Sequence, residues 1–504
     1  MSATIIPFPL PLTPPLPTIE GNVDYRKLRL ELQRIDELLI QTGLEQKFIR
    51  LSLDGWLARG QFAPGQAPAK AQLNFQIQSR QALRCNLMRT YLQEDFRGFA
   101  ARLADSPLLQ QFCGLGELEK VVIPAKSTLQ RYAYWIEAPI LDELIHQALR
   151  QAGHHHHELE LAQAVDLEAA FLDTTCLKAN IHYPVDWVLL RDATRTLMKA
   201  VQLIRGQGLR HRMEEPALFL KRMNRLCIQM TQSSNKTNFK KHRKKVLRKM
   251  NKLVGSVGRH AKLYRQLLDE QWEQTDWTRP QTEQVLRRLD GVLAQLPQAR
   301  QQAWQRIIQE EPVANQEKIL SLYDPAIRVI VRHKAGAEVE FGNTLLLAES
   351  RQGLILDWEL FEESAPADSR MVRGSVERIE KNLEIKLKQL GADRGFDSAA
   401  NQDWLAEEKT YNGIAPRNPR ELKKRMKSWK FAGLQRRRSQ TEGRISIVLH
   451  NFLGSPMQCK GFAHRQLAVG WGVMTHNLWV LARLPKPKRK AKQKPVVAAS
   501  RKAA

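Results

Sequence analysis

The stretch that most constrains this chain reads LEAAFLDTTCLKANIHYPVDWVLLRD, from Leu167 to Asp192. An apolar run, Ala169 to Leu172, leads straight into Asp173, and a second β-type run, Ala179 to Tyr183, follows before Pro184 breaks the pattern. Two short strands joined by a tight polar link put the Asp173 carboxylate at the end of a buried strand. A carboxylate held there is rigid yet open to a ligand, as a metal site requires. The competing reading is that Asp173 simply starts a turn, where Asp is common.

The chain has 504 residues, enough for two to four domains and a sizeable core. Its formal net charge of +27 attracts polyanions, nucleic acid first, because each neutralised phosphate releases counterions. No uninterrupted apolar stretch reaches transmembrane length, and the proline-rich start lacks the positive charge of a signal peptide. Five scattered cysteines without a CxxC pair suit a reducing cytoplasm and argue against a zinc site or a disulfide framework. The expected setting is therefore a reducing cytoplasm, with no membrane partner.

Taken in order, residues 1–22 read as a proline-rich arm and 23–160 as a helical DNA-binding domain. Within the latter, GLGELEKVVIPAKSTLQRYAYWIE suggests a helix, a turn at Ile123-Pro124 and a second helix opening at Lys126-Ser127-Thr128. With Gln130 and Arg131 in its first turns, that second helix reads as the recognition helix of a helix-turn-helix, or as half of an ordinary helical hairpin. The His154–His157 run reads as a solvated linker more than a metal site. Residues 206–319 form a basic helical insertion. Its segment KTNFKKHRKKVLRKMNK contains no acid, and Lys240, Lys241, Arg243, Lys244 and Lys245 are candidates for phosphate contact.

From Tyr323 the composition turns to strand type. Runs at Val329–Val331, Val339–Phe341, Leu345–Leu347 and Leu354–Leu360 are punctuated by turn signals at Ala335-Gly336, Gly342-Asn343 and Gln352-Gly353. A helix capped by Asp368 or Ser369 follows, then GADRGFDS presenting Asp393, a helix beginning near Ser398, the strand-like YNGIAPR, and a late helix carrying Glu442. Residues 161–205 and 320–484 thus read as an α/β core interrupted by the insertion, and 485–504 as a disordered basic tail.

Three acids occupy places that a metal site would use: Asp173, Asp393 and Glu442. Converging carboxylates are costly unless cations bridge them, and Mg²⁺ is the natural choice. Asp186, Asp357 and Asp397 also lie beside apolar runs and are rivals. A helix sets Arg438 one turn before Glu442, positioned to orient its carboxylate, to grip a phosphate, or to form an ordinary surface ion pair. His476 and Asn477, in a later apolar helix, read as polar core residues.

The blocks DTTCLKANIHYPVDW, KAGAEVEFGNTLLLAESRQGLILDWELFEESAPADS with GADRGFDS, and RRRSQTEGRISIVLHNF with AVGWGVMTHNLWVLARL resemble, in order, the three acidic blocks of bacterial insertion-sequence transposases of the DDE type. IPAKSTLQRY resembles segments upstream of the catalytic domain in such enzymes. The resemblance implies a ribonuclease-H-like mixed sheet flanked by helices, with an all-α N-terminal DNA-binding domain. It implies that Asp173, Asp393 and Glu442 bind two Mg²⁺ ions, for which Mn²⁺ can substitute. It also implies a homodimer on paired DNA ends that cleaves at the terminal inverted repeats and joins the 3′-hydroxyl to target DNA. Some relatives place a Tyr three residues before the Arg and a Lys seven after the Glu. Here Arg438 fits, but Gln435 and Leu449 stand at those other positions, leaving a hairpin intermediate and the subfamily open. The alternatives are a nuclease or resolvase of the same fold, and a DNA-binding relative without catalysis.

Overall fold

Strand β1 runs unbroken over Ala169–Lys178 at the centre of the sheet. The computed structural model describes residues 16–59, 68–116, 120–233, 238–334 and 337–487. Most of the expected arm and tail, the Ala335-Gly336 turn, and Lys236-Thr237 of the basic run lie outside the described residues.

Asp173 therefore sits in the middle of a ten-residue strand, not at the end of a four-residue one. Residues 179–183 form no second strand; Ala179 makes a single isolated bridge to Met457. The cause is non-local. Strand β3 (Ala337–Glu349) pairs antiparallel with β1 from Phe171↔Glu349 to Lys178↔Gly342, and carries it through the polar Asp-Thr-Thr segment. Strand β3 itself fuses two runs that read as separate. Gly342-Asn343 is no turn: a Cβ on Gly342 would lie 2.1 Å from the Leu177 carbonyl oxygen, so glycine permits close approach of β1. The buried Asn343 amide donates to the carbonyls of Ala326 and Phe361, each at 2.8 Å.

The sheet is mixed. Its order is β2 (Arg328–Lys334), β3, β1, β5 (Gln389–Ala392), β6 (Tyr411–Ile414), with β4 (Ile355–Leu360) paired to β3. Strands β2 and β4 run antiparallel to β3, while β1, β5 and β6 are parallel. Between β4 and β5 lies helix α12 (Asp368–Leu383), and between β5 and β6 lies α13 (Ala399–Glu407), whose N-cap Ser398 accepts from the Asn401 N–H.

Among the described residues, seven helices, α1 (Val23–Gln41) to α7 (Ala138–His154), precede the sheet. They share one apolar cluster with it through the long buried helix α17 (Phe462–Arg483). Trp471 at the centre of α17 donates to the Ala133 carbonyl, and the Asn477 side chain bonds both the N–H and the carbonyl of Ile355 on β4. His476 is buried edge-on against Phe452, as its apolar context suggested. A second cluster belongs to α8 (Asp186–Gly206), α9 (Pro216–Gln232), α10 (Phe239–Gln271) and α11 (Arg279–Trp304). None of the described helices is long and apolar enough to cross a membrane.

Candidate active site

The last rung between the parallel strands β1 and β5 is Leu172↔Ala392. Asp173 and Asp393 are the next residue on each strand, so the strand spacing of about 4.8 Å sets the two carboxyl-bearing positions side by side. Past this rung β5 leaves the sheet. Asp393 caps a short 3₁₀ turn (Arg394–Phe396), its Oδ1 accepting from the Gly395 N–H at 2.8 Å. The carboxyl ends of parallel strands, where neighbouring chains part, are where open sheets present ligand sites.

Helix α16 (Thr441–Val448) brings Glu442 to the same place. Asp173, Asp393 and Glu442 all line one open cleft of about 690 Å³, together with Thr174, Arg328, Asp368 and Leu449. The three rivals are engaged elsewhere. Asp186 takes hydrogen bonds from Gln302 and Arg306, Asp357 from Ser375 and Arg378, and Asp397 from Gln402 and the Arg417 N–H.

Arg438 and Glu442 do not share one continuous helix. Helix α15 (Trp429–Arg438) ends at Arg438, and Ser439-Gln440 separate it from α16. The backbone there keeps helical dihedrals, so the four-residue spacing still brings the side chains together. Arg438 Nη2 lies 3.6 Å from Glu442 Oε1 and 3.9 Å from Asp393 Oδ2, beyond tight hydrogen bonding. Its buried Nε has no partner. An arginine with spare donors between two carboxylates is placed to meet an anion.

Burial pushes the Asp173 carboxyl up to about 6; the charges of Asp393 and Glu442 push the same way, while the Thr174 N–H and Arg438 oppose them. Asp368 is the acid that sequence reasoning missed. It read as a helix cap, but Ala367 occupies that position and Asp368 is the first helical residue. Its Oδ1 accepts from Thr174 Oγ1 at 3.2 Å, and a Cβ on Gly395 would come within 3.0 Å of both the Asp368 and Asp393 carboxylates. The only signal in the sequence was its position one residue before Ser369, which pointed to capping.

The acidic side chains facing the cleft offer oxygen donors only, the set a hard divalent cation prefers. Among the described residues no three His, Cys, Asp or Glu side chains are already drawn together as a metal-binding group. Glu442, whose side chain is 69% exposed, has room to swing inward, and Arg438 must yield to any cation between Asp393 and Glu442.

Apart from Arg438, the DNA-binding candidates do not line the cleft. No helix spans 116–125 among the described residues; Gly116 instead bridges Val121, so no helix-turn-helix of the expected form precedes α6 (Lys126–Ala133). Gly114, in the left-handed region at φ 65°, ends the helix Pro107–Cys113, and residues 117–119 of the expected helix lie outside the described residues. Neither Ser127 nor Thr128 caps α6; Thr128 accepts from Arg131, and Lys126, Ser127 and Arg131 are exposed. On α10 part of the counter-charge that the run requires comes from Glu310, which pairs with Lys240 and Lys244 at 2.8 Å each and is itself held down to about 2 by them. Arg243 lies over the Trp187 ring. Lys241 and Lys245 remain on the exposed face with Arg248 and Lys252, a stripe at helical spacing.

No family model, no curated protein and no solved structure matches this chain.

Proposed function

We propose that this chain is a metal-dependent DNA transposase of the DDE type with a ribonuclease-H-like core. One observation carries the reading: three acids from distant stretches line one cleft, while the three rival acids are held in ion pairs or hydrogen bonds elsewhere. The sheet supports the fold, since a central β1 has an antiparallel neighbour on one side and a parallel one on the other.

In this reading Asp173, Asp393 and Glu442 hold two Mg²⁺ ions. Such ions, when bound, activate water or a 3′-hydroxyl and stabilise the leaving oxygen of a phosphodiester. Arg438, whose guanidinium stands within 3.9 Å of both Asp393 and Glu442, turns to a phosphate oxygen beside the carboxylates. Thr174 donates to the Asp368 carboxylate and holds it at the rim of the same cleft. The exposed stripe on α10 and the outer face of α6 give double-stranded DNA its phosphate contacts, as the net charge of +27 favours. The working unit is a dimer on paired element ends, in the nucleoid.

The test is strand joining. Incubated with Mg²⁺ and DNA carrying the sequences that flank its own gene, the protein is expected to expose 3′-hydroxyls at the element ends and then yield joined products. Nicking without joining would favour a nuclease or resolvase, and neither product would reject the reading.

A further inference from the structure

Residues 409–441 hold eleven Lys and Arg and one acid, Glu421. Part of that charge is structural. Arg437 is buried against Glu349, Arg438 faces the cleft, and Arg417 and Arg425 bond backbone carbonyls. Among the charges left on the surface, Lys423, Lys424, Lys427 and Lys430 form a patch over α14 (Pro419–Arg425) and the start of α15, with Trp429 in their midst.

Trp429 is 83% exposed, the most exposed of the large apolar side chains among the described residues, and Met426 beside it is 42% exposed. An indole left in water forgoes the burial that normally stabilises Trp, so its surroundings suit a partner that supplies a flat apolar face. The surrounding ammonium groups require that partner to be anionic. A flat π-face joined to phosphates is a nucleotide base, and exposed aromatics among basic residues are the usual platform for unpaired bases.

The patch also points at the cleft. Helix α15 begins at Trp429 and ends at Arg438, nine steps and about 14 Å away at the helical rise. Along one strand of a duplex that is about four nucleotides. We propose that Trp429, with Lys423, Lys424, Lys427 and Lys430, stacks an unpaired base about four nucleotides from the phosphodiester at the carboxylates. This rests on the nucleic-acid reading above and adds what that reading lacks, a preference for DNA that is locally unpaired.

The experiment uses the full chain in EDTA, so that cleavage does not intrude. Two fluorescent probes of equal length, one fully paired and one with a central unpaired tract, are titrated in parallel, and the readout is the ratio of their Kd values. The wild type is expected to favour the unpaired probe by roughly tenfold, as base–aromatic stacking implies. Trp429→Ala is expected to bring the ratio near one, and Trp429→Phe to keep most of it. Replacing Lys423 and Lys427 by Gln is expected to weaken both probes and flatten the salt dependence. A wild-type ratio near one, or a ratio indifferent to Trp429→Ala, overturns the inference even if DNA binding persists. So does Trp429-dependent capture on vesicles one-third phosphatidylserine without a preference between the DNA probes. Failure to bind either probe would overturn the transposase reading as well.

Discussion

Three consecutive arginines close α15, and each meets different surroundings. Arg436 is exposed, and Arg438 stands between Asp393 and Glu442. Arg437 is buried. It pairs with Glu349 at 2.7 Å, donates to the carbonyls of Ser350 and Arg351, and lies over the Phe171 ring at 4.6 Å. Thr441 also donates to Glu349, so this pair ties the α15–α16 junction to the sheet beneath the cleft. The spacing of Arg438 to Glu442 was legible in the sequence. Which arginine turns inward was not, because that depends on Glu349, far away on β3. Arg437→Ala is expected to cost about 3–5 kcal/mol in urea unfolding, since it strands a buried carboxylate. Replacing both partners by Met and Leu should recover most of the loss; an unaltered midpoint for the single variant would show the pair to be idle.

At the scale of elements, what was legible is what neighbours in sequence decide. The return through β5 to Asp393, the Ser398 cap of α13 and the strand at Tyr411 all follow from local patterning. What escaped is set by distant partners: the continuity of β1 through Asp173, the fusion of two runs into β3, and the pairing of Glu310 with the α10 lysines. Asp142 on α7, which faces Asp357 and Trp358 of β4, is another such group. Burial, with the Asp357 charge behind it, pushes the Asp142 carboxyl up to about 6, and its Oδ1 has no partner. A carboxyl raised in the folded state adds stability only while protonated; that contribution is present below about pH 4 and is lost as pH rises through 6. Asp142→Asn is therefore expected to raise stability above pH 6 by about 2 kcal/mol and to leave it unchanged near pH 4. An equal gain at both pH values in thermal melts would rule out the ionisation as its cause.

Across the whole molecule, two apolar cores divide the labour. One runs from α1 through α17 to the sheet, so the N-terminal helices and the cleft share a single packed body. The other sits within α8–α11 and carries the basic stripe on its own frame. The basic, helix-prone character of 206–319 was legible in the sequence, but not that α8 packs with it or that α17 joins the first helices to the sheet, since an apolar helix does not name what it packs on. A rigid cleft beside a separately cored basic arm suits a protein that grips a long polyanion and acts at one point along it. The most direct check compares Mg²⁺-dependent nicking at the element ends by the wild type with that by Asp173→Asn, Asp393→Asn and Glu442→Gln, DNA affinity being measured in parallel. Each variant is expected to bind DNA within a few-fold of the wild type and to lose nicking by about a thousandfold or more, the scale of a lost electrostatic contact to the transition state. Retained nicking in any one of them, or wild-type nicking that survives EDTA, would contradict the account.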